Sequence, residues 1–380
     1  MTTTTYDAIV IGGGVVGAAT AYHLVCAGAK TLLIDRHDAG RATDAGAGIL
    51  APALSAGYPD AWFDFAVAAT AYYPTLLDQL QADGGGETSY AVCGMLTVAA
   101  TEDEVPAFTR AKEIVLARQA SRQAPTIADL HEVSAQEARE LFPPLTDVLG
   151  AIYFRHAARV NGRHLNRALQ QAAQNRGLII QQGSVDHLVQ QGNRVTGVVV
   201  GGERIAGEHV VIAGGAWSSA FGAQLGVQIP VAPQRGQIAH FDLPDQETAH
   251  WPVISAYHGH YIVCWPGGRV VCGATREADT GYAPHTTVRG VHEVLGEALR
   301  VAPGLAPAQL YEMRVGLRPY PVDGLPILSA VPGWEGIVVV TGHGPTGLTL
   351  GPYSGKIAAD LVQGQAAASD IRAFDLARFA

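Results

Sequence analysis

Six residues near the start constrain the fold most. The apolar run Tyr6-Asp7-Ala8-Ile9-Val10-Ile11 enters Gly12-Gly13-Gly14-Val15-Val16-Gly17, and an apolar helix pattern follows through Val25. A second apolar run, Thr31-Leu32-Leu33-Ile34, ends in Asp35. This is strand, G-x-G-x-x-G, helix, strand and acid in register, the signature of a dinucleotide-binding βαβ unit. Gly12 permits the tight turn, Gly14 lets backbone approach a pyrophosphate, and Gly17 lets the helix lie close to the strand. The helix N-terminus offers unpaired N–H groups and partial positive charge to the phosphates. Asp35 stands about twenty positions beyond the glycines, as expected of a carboxylate that accepts from a ribose.

The rest of the chain must be read around that unit. Its 380 residues suggest two or three domains, and 48% hydrophobic against 16% charged residues supply a large core. The formal net charge is −9 and no basic tract occurs, which argues against a nucleic-acid partner. The apolar stretch 8–29 is broken by glycines and His23 and lacks a basic leader, so it reads as a buried βα unit. No other run reaches spanning length. Cys26, Cys93, Cys264 and Cys272 form no C-x-x-C pair and read as reduced, buried thiols of a cytoplasmic protein, with no metal site expected.

Helical spacing predicts helices over 61–82, 102–121, 162–177 and 348–362, with a further one carrying Val288, Val291, Leu295 and Leu299 on one face. Ser134-Ala135-Gln136-Glu137 is a capping box that opens a short helix stopped by Pro143. Strands are expected at 90–100, 150–155, 178–182 and 194–200, the last in a hairpin around Gly201-Gly202, and at 209–213. From Gln234 to Arg276 the texture turns antiparallel, with strands at 237–243, 261–265 and 269–275, and 312–318 adds another. The fold class is α/β. A parallel, Rossmann-like domain from 1–85, 150–224 and 319–380 interleaves with an antiparallel α+β domain from 86–149 and 225–318.

Two further glycine loops stand out: Ala45-Gly46-Ala47-Gly48 and Gly342-His343-Gly344-Pro345-Thr346-Gly347. Glycines suit a flat ring system lying against backbone, and the second loop opens a helix whose dipole could stabilise negative charge on a reduced flavin. Ordinary βα turns would look the same.

Taken in order, these segments resemble the FAD-dependent D-amino-acid oxidase superfamily, nearest the glycine oxidase and D-amino-acid oxidase or dehydrogenase branch. The matching stretches are 11–17 with Asp35, 45–52, Ile212-Ala213-Gly214-Gly215-Ala216-Trp217, and Pro233-Gln234-Arg235-Gly236-Gln237. They continue with Gly273-Ala274-Thr275-Arg276-Glu277, Gly316-Leu317-Arg318-Pro319, Asp323-Gly324-Leu325-Pro326 and the 342–347 loop. The resemblance implies a non-covalent FAD, because no Cys follows Cys272 at the place where covalent relatives attach it. It implies FAD contacts from Gly12, Gly14, Val15, Val16, Gly17, Asp35 and Arg36, and from Ala45, Gly46, Gly48, Ile49 and Leu50. Val185, Gly214, Trp217, Gly316 and Arg318 add to these, as do Gly342, Gly344, Pro345, Thr346, Gly347, Leu348 and Thr349.

The same resemblance gives Arg318 the substrate carboxylate, a role that a planar, permanently charged guanidinium suits. It places Tyr261, and less strongly Tyr257, at the pocket, where a hydroxyl can add a bond and a ring can form a wall. His258 and His260 read as turn or surface residues. Glycine oxidases carry a second Arg in the loop where this chain has Pro345, which puts glycine itself in doubt as substrate.

The activity implied is oxidative deamination of a small D-amino acid or glycine-like substrate. A hydride passes from Cα to flavin N5, giving an imino acid, then a 2-oxo acid and ammonia. Oxidation of a secondary amine such as sarcosine or a proline derivative, oxidation of a 2-hydroxy acid, and an inactive flavin-binding subunit stay open. The acceptor is O2, a quinone or another electron carrier, and a homo-oligomer is compatible with the sequence.

Overall fold

The computed structural model describes residues 5–122 and 129–380. Strand Thr5–Ile11 turns at Gly12 into helix Val15–Cys26, and Thr31–Asp35 returns parallel to the first strand. Ile9, Val10, Leu32 and Leu33 are buried, as parallel strands covered on both faces require. Gly12 holds φ +108, and a Cβ there would stand 2.5 Å from the Ala213 carbonyl oxygen. A Cβ on Gly17 would stand 1.9 Å from the Gly12 carbonyl oxygen, so only glycine lets helix and turn meet this closely.

The sheet built on this unit runs Val185–Gln191, Arg194–Val200, Glu203–Ile212, Thr5–Ile11, Thr31–Asp35, Ile179–Gln182. Strand Ile337–Thr341 pairs parallel with the second half of Glu203–Ile212 and carries Ile327–Ala330 on its other side. The expected hairpin closes through Gly201 and Gly202, both at positive φ, which a tight two-residue turn demands.

A second, mostly antiparallel sheet runs Gln309–Pro321, Val231–Asp242, Arg269–Gly273, Tyr261–Cys264, Val253–Ala256, Met95–Ala99, Gly150–Phe154, Leu130–Glu132. This corrects two boundaries. The strand at 150–154 and residues 319–321 were expected with the first sheet, but their ladders lie in the second. Sequence pattern alone does not show which sheet a strand pairs into. The expected strand over 90–100 is two pieces, Ala91–Val92 and Met95–Ala99, separated by Gly94 at positive φ. Ala91–Val92 joins Ile49–Leu50 and Ala158–Arg159 in a small third sheet that ties down the 45–50 loop.

Helices Asp60–Ala82, Gly162–Asn175 and Gly347–Val362 pack around Val15–Cys26 and one another. The crossing is close at Gly355, where a Cβ would meet Ala19 Cβ at 2.6 Å. The Ser134–Glu137 capping box forms in both directions and opens Ala135–Leu141. Helix Val105–Ser121 follows a second box, Thr101 with Glu104, and helix Val288–Val301 is capped by Thr287. All four cysteines are unpaired, but only Cys264 and Cys272 are buried. Cys26 is exposed because it ends its helix, where the apolar face has already turned away. Among the described residues no helix is long and apolar enough to cross a membrane.

Candidate active site

A cavity of about 450 Å3 runs from the first glycine turn to the antiparallel sheet. At the first end its wall is mostly backbone. Gly14 is the N-cap of Val15–Cys26 and has no side chain to cap it, and the first turn holds no acid. Val15 donates its N–H to Thr43 Oγ1 at 3.1 Å, and a Cβ on Gly13 would strike the Asp35 carboxylate at 2.8 Å. Arg41 Nη1 donates to Asp35 Oδ2 at 2.9 Å, holding that carboxylate at the rim. The Arg36 guanidinium lies 5.6 Å from the Trp217 ring centroid, and Trp217 stacks on Tyr282 at 5.5 Å.

Of the residues implied for the cofactor, Gly12, Gly14, Val15, Val16, Asp35 and Arg36 line this end, with Val185, Gly214 and Trp217. Ala45, Gly46, Gly48 and Ile49 line its middle. A Cβ on Gly48 would lie 1.9 Å from the Val160 carbonyl oxygen, and one on Gly46 2.7 Å from Leu348 Cδ1. Gly344, Pro345, Gly347, Leu348 and Thr349 line the far side, at the start of helix Gly347–Val362, which also has no side-chain cap and no acid in its first turn.

Four implied contacts lie outside the lining. Gly17 sits behind the turn as a packing glycine, and Leu50 points into the core. Gly342 turns the chain near Pro321 and Ile327. Thr346 spends its hydroxyl on the His343 carbonyl at 2.8 Å. His343 does line the cavity; its ring bonds Ser354 Oγ at 2.9 Å, and burial pushes its pKa down to about 4.

At the second end the wall is made of side chains. Strand Gln309–Pro321 sets Arg318 opposite Gln234, and Gly316 opposite Gly236. Arg318 Nη1 donates to the Thr275 carbonyl at 2.9 Å and to Gln234 Oε1 at 3.2 Å. A Cβ on Gly236 would stand 2.7 Å from that guanidinium, so glycine there is what seats it. Burial, and then the nearby Arg276 charge, lower the Arg318 pKa, while Tyr261 opposes them. An arginine starts so high that it stays charged. Burial raises the Tyr261 pKa against the pull of Arg318 and Arg276, which keeps its hydroxyl protonated and able to donate.

Arg276 also lines the cavity, as do Gly236 and Tyr282. Sequence reasoning assigned none of these three a role, although Arg276 lies inside a matching stretch. Tyr257 is a correction. Its ring stands edge-on to Phe108 at 6.1 Å and its N–H donates to Glu104, away from the cavity lining. His260 differs from expectation too, being half-buried beside Glu293 at 3.3 Å, while His258 is paired with Asp103 and Glu297. Among the described residues, no cysteine lines the cavity.

Residues 7–361 match the family of FAD dependent oxidoreductases (DAO). The chain belongs to that family. Two helix starts without an acid in their first turns and a glycine-lined wall between them fit an anionic dinucleotide with a flat ring, so the residues present suit FAD. The chain is 39% identical to the oxidoreductase YurR of Bacillus subtilis over 97% of each chain. It is 30% identical to the glycine oxidase of Pseudomonas aeruginosa over 94% of each. Among solved structures it resembles the iminodiacetate oxidase of a Chelativorans species, with TM-score 0.91, 36% identity and coverage of 97% and 98%. Glycine oxidase from Geobacillus kaustophilus superposes with TM-score 0.89 at 27% identity, covering 98% and 99%. The protein is an FAD-dependent oxidoreductase.

Proposed function

We propose that the enzyme oxidises a small amine that carries a carboxylate on the carbon to be oxidised. One observation carries the reading: Arg318 faces the cavity with no carboxylate partner among the described residues, beside the protonated Tyr261. A guanidinium left without a partner at a cavity wall suits an anionic ligand. Arg318 binds the carboxylate and Tyr261 adds a hydroxyl bond, which together fix the position of the α-carbon. Bound FAD supplies the two-electron acceptor. The amine enters neutral, and the imine product hydrolyses to an oxo acid and the freed amine or ammonia. No side-chain base is demanded, and His343, neutral and bonded to Ser354, is not set up as one.

The likeness to glycine oxidases and to an iminodiacetate oxidase supports an amine over a 2-hydroxy acid. The second of these, with Pro345 in place of a loop arginine, favours extending the substrate range from primary amino acids to secondary amines. Anaerobic mixing of the holoenzyme with D-, L- and N-methyl amino acids, iminodiacetate and 2-hydroxy acids tests this. Bleaching of the flavin band by amines is expected; bleaching by 2-hydroxy acids alone would overturn the reading. Admitting air with peroxide detection then separates an oxidase from a dehydrogenase.

A further inference from the structure

We infer that Arg276 forms a second carboxylate subsite, so that the preferred substrate is an amine bearing two carboxylates. This rests on the oxidation reading above and adds the substrate class. Arg276 follows strand Arg269–Gly273, and its side chain lines the same cavity as Arg318 and Tyr261. Among the described residues, its one polar contact is a long bond from Nη1 to the Ala274 carbonyl at 3.4 Å. The guanidinium is nonetheless seated: Gly259 holds φ +81, and a Cβ there would stand 2.5 Å from Arg276 Nη1. The turn before Tyr261 thus leaves room for this head group, as Gly236 does for Arg318.

Several neighbouring charges are paired within the protein. Arg235, on the same sheet, is paired with Glu277 at 2.6 Å, and Glu277 also accepts from Gln237 and Thr275. Glu297 pairs with His258 and Arg300, and Glu293 stands 3.3 Å from His260. Among the described residues, Arg276 and Arg318 have no ion pair. The two cations repel, and burial and then Arg276 lower the proton affinity of Arg318. Arg318 is half-buried, whereas Arg276 is exposed and solvated, so a second carboxylate would take the place of water there.

With one carboxylate on Arg318, the rest of the substrate faces Arg276. A monocarboxylate leaves that cation unmatched, whereas a second carboxylate pairs with it. Two kinds of molecule share this chemistry: iminodiacetate-type amines with a carboxymethyl group on either side of nitrogen, and acidic α-amino acids.

The test measures kcat/KM of the holoenzyme for iminodiacetate and for the D and L forms of aspartate and glutamate, against sarcosine, glycine and D-alanine. A charged hydrogen-bonded pair predicts that the better dicarboxylates win by about 10- to 100-fold. Which of them reduces the flavin tells the two kinds apart. In Arg276→Gln the ratio of dicarboxylate to sarcosine kcat/KM should fall about tenfold or more, and Arg276→Lys should restore part of it. Flavin absorbance and Tm report that each variant is folded and loaded. A ratio that moves less than about threefold in Arg276→Gln overturns the subsite while amine oxidation stands. If no amine reduces the flavin, both readings fall.

Discussion

The two ends of the cavity are built from different material. The dinucleotide end is largely backbone: Gly12, Gly13, Gly14, Gly46 and Gly48, and two helix starts without an acid in their first turns. The other end is side chains: Arg318 and Tyr261 from strands of the second sheet, and Arg276 from the segment just after one. A backbone cradle tolerates almost any sequence outside its glycines, so it suits a ligand that never changes. A side-chain wall can be altered one residue at a time, so it suits a ligand that differs between relatives.

Substitutions can break this contrast. The largest effect is expected for Gly17→Ala, since a Cβ 1.9 Å from the Gly12 carbonyl cannot be relieved by a side chain moving. Loss of both flavin and the cooperative melt is expected, a cost beyond about 4 kcal/mol. Absorbance per protein and Tm measure it, and retention of both would remove the packing argument. Arg318→Ala should keep its flavin and lower kcat/KM about 100-fold or more, chiefly through KM. An unchanged KM would take Arg318 out of the site. Tyr261→Phe keeps the ring and loses the hydroxyl, and about a tenfold fall in kcat/KM is expected from steady-state assays.

Acid should loosen the molecule from the junction between the two ends. His343 has a folded pKa of about 4 against an ordinary 6.5, because burial disfavours its charged form. His240, also lowered to about 4, and His23, lowered to about 3, act in the same direction. A depressed value gives stability that is fully present above about pH 6.5 and lost as pH falls through the folded pKa. Thermal melts should show Tm falling between those limits, less steeply in His343→Asn. The smallest effect is expected for Tyr257→Phe, which should leave kcat/KM within about twofold because the ring lies off the cavity. A tenfold loss would return Tyr257 to the site.

The contrast also explains what could be read in advance. Gly12, Gly14 and Asp35 are close in sequence, and each is demanded by a local conformation or contact, so spacing alone exposed them. The second-sheet strand Tyr261–Cys264 was visible for a similar reason, being a short apolar run between turns. Strand Val185–Gln191 was missed because it is an exposed, mostly polar arm of a hairpin, without the apolar alternation that marks a half-buried strand. The split of 90–100 was missed because a single glycine, Gly94, had to be recognised as a break.

What the sequence determined by itself was the βαβ dinucleotide unit, whose residues are contiguous, and the family, carried by several short stretches in a fixed order. The tertiary structure alone decided which tyrosine faces the cavity, that residues 150–154 belong to the second sheet, and that Arg276 joins Arg318 without an acid to neutralise it. Those facts depend on strand pairing and on what each charge meets across it. Register between distant strands is set by the whole folded core and leaves no mark within any one segment.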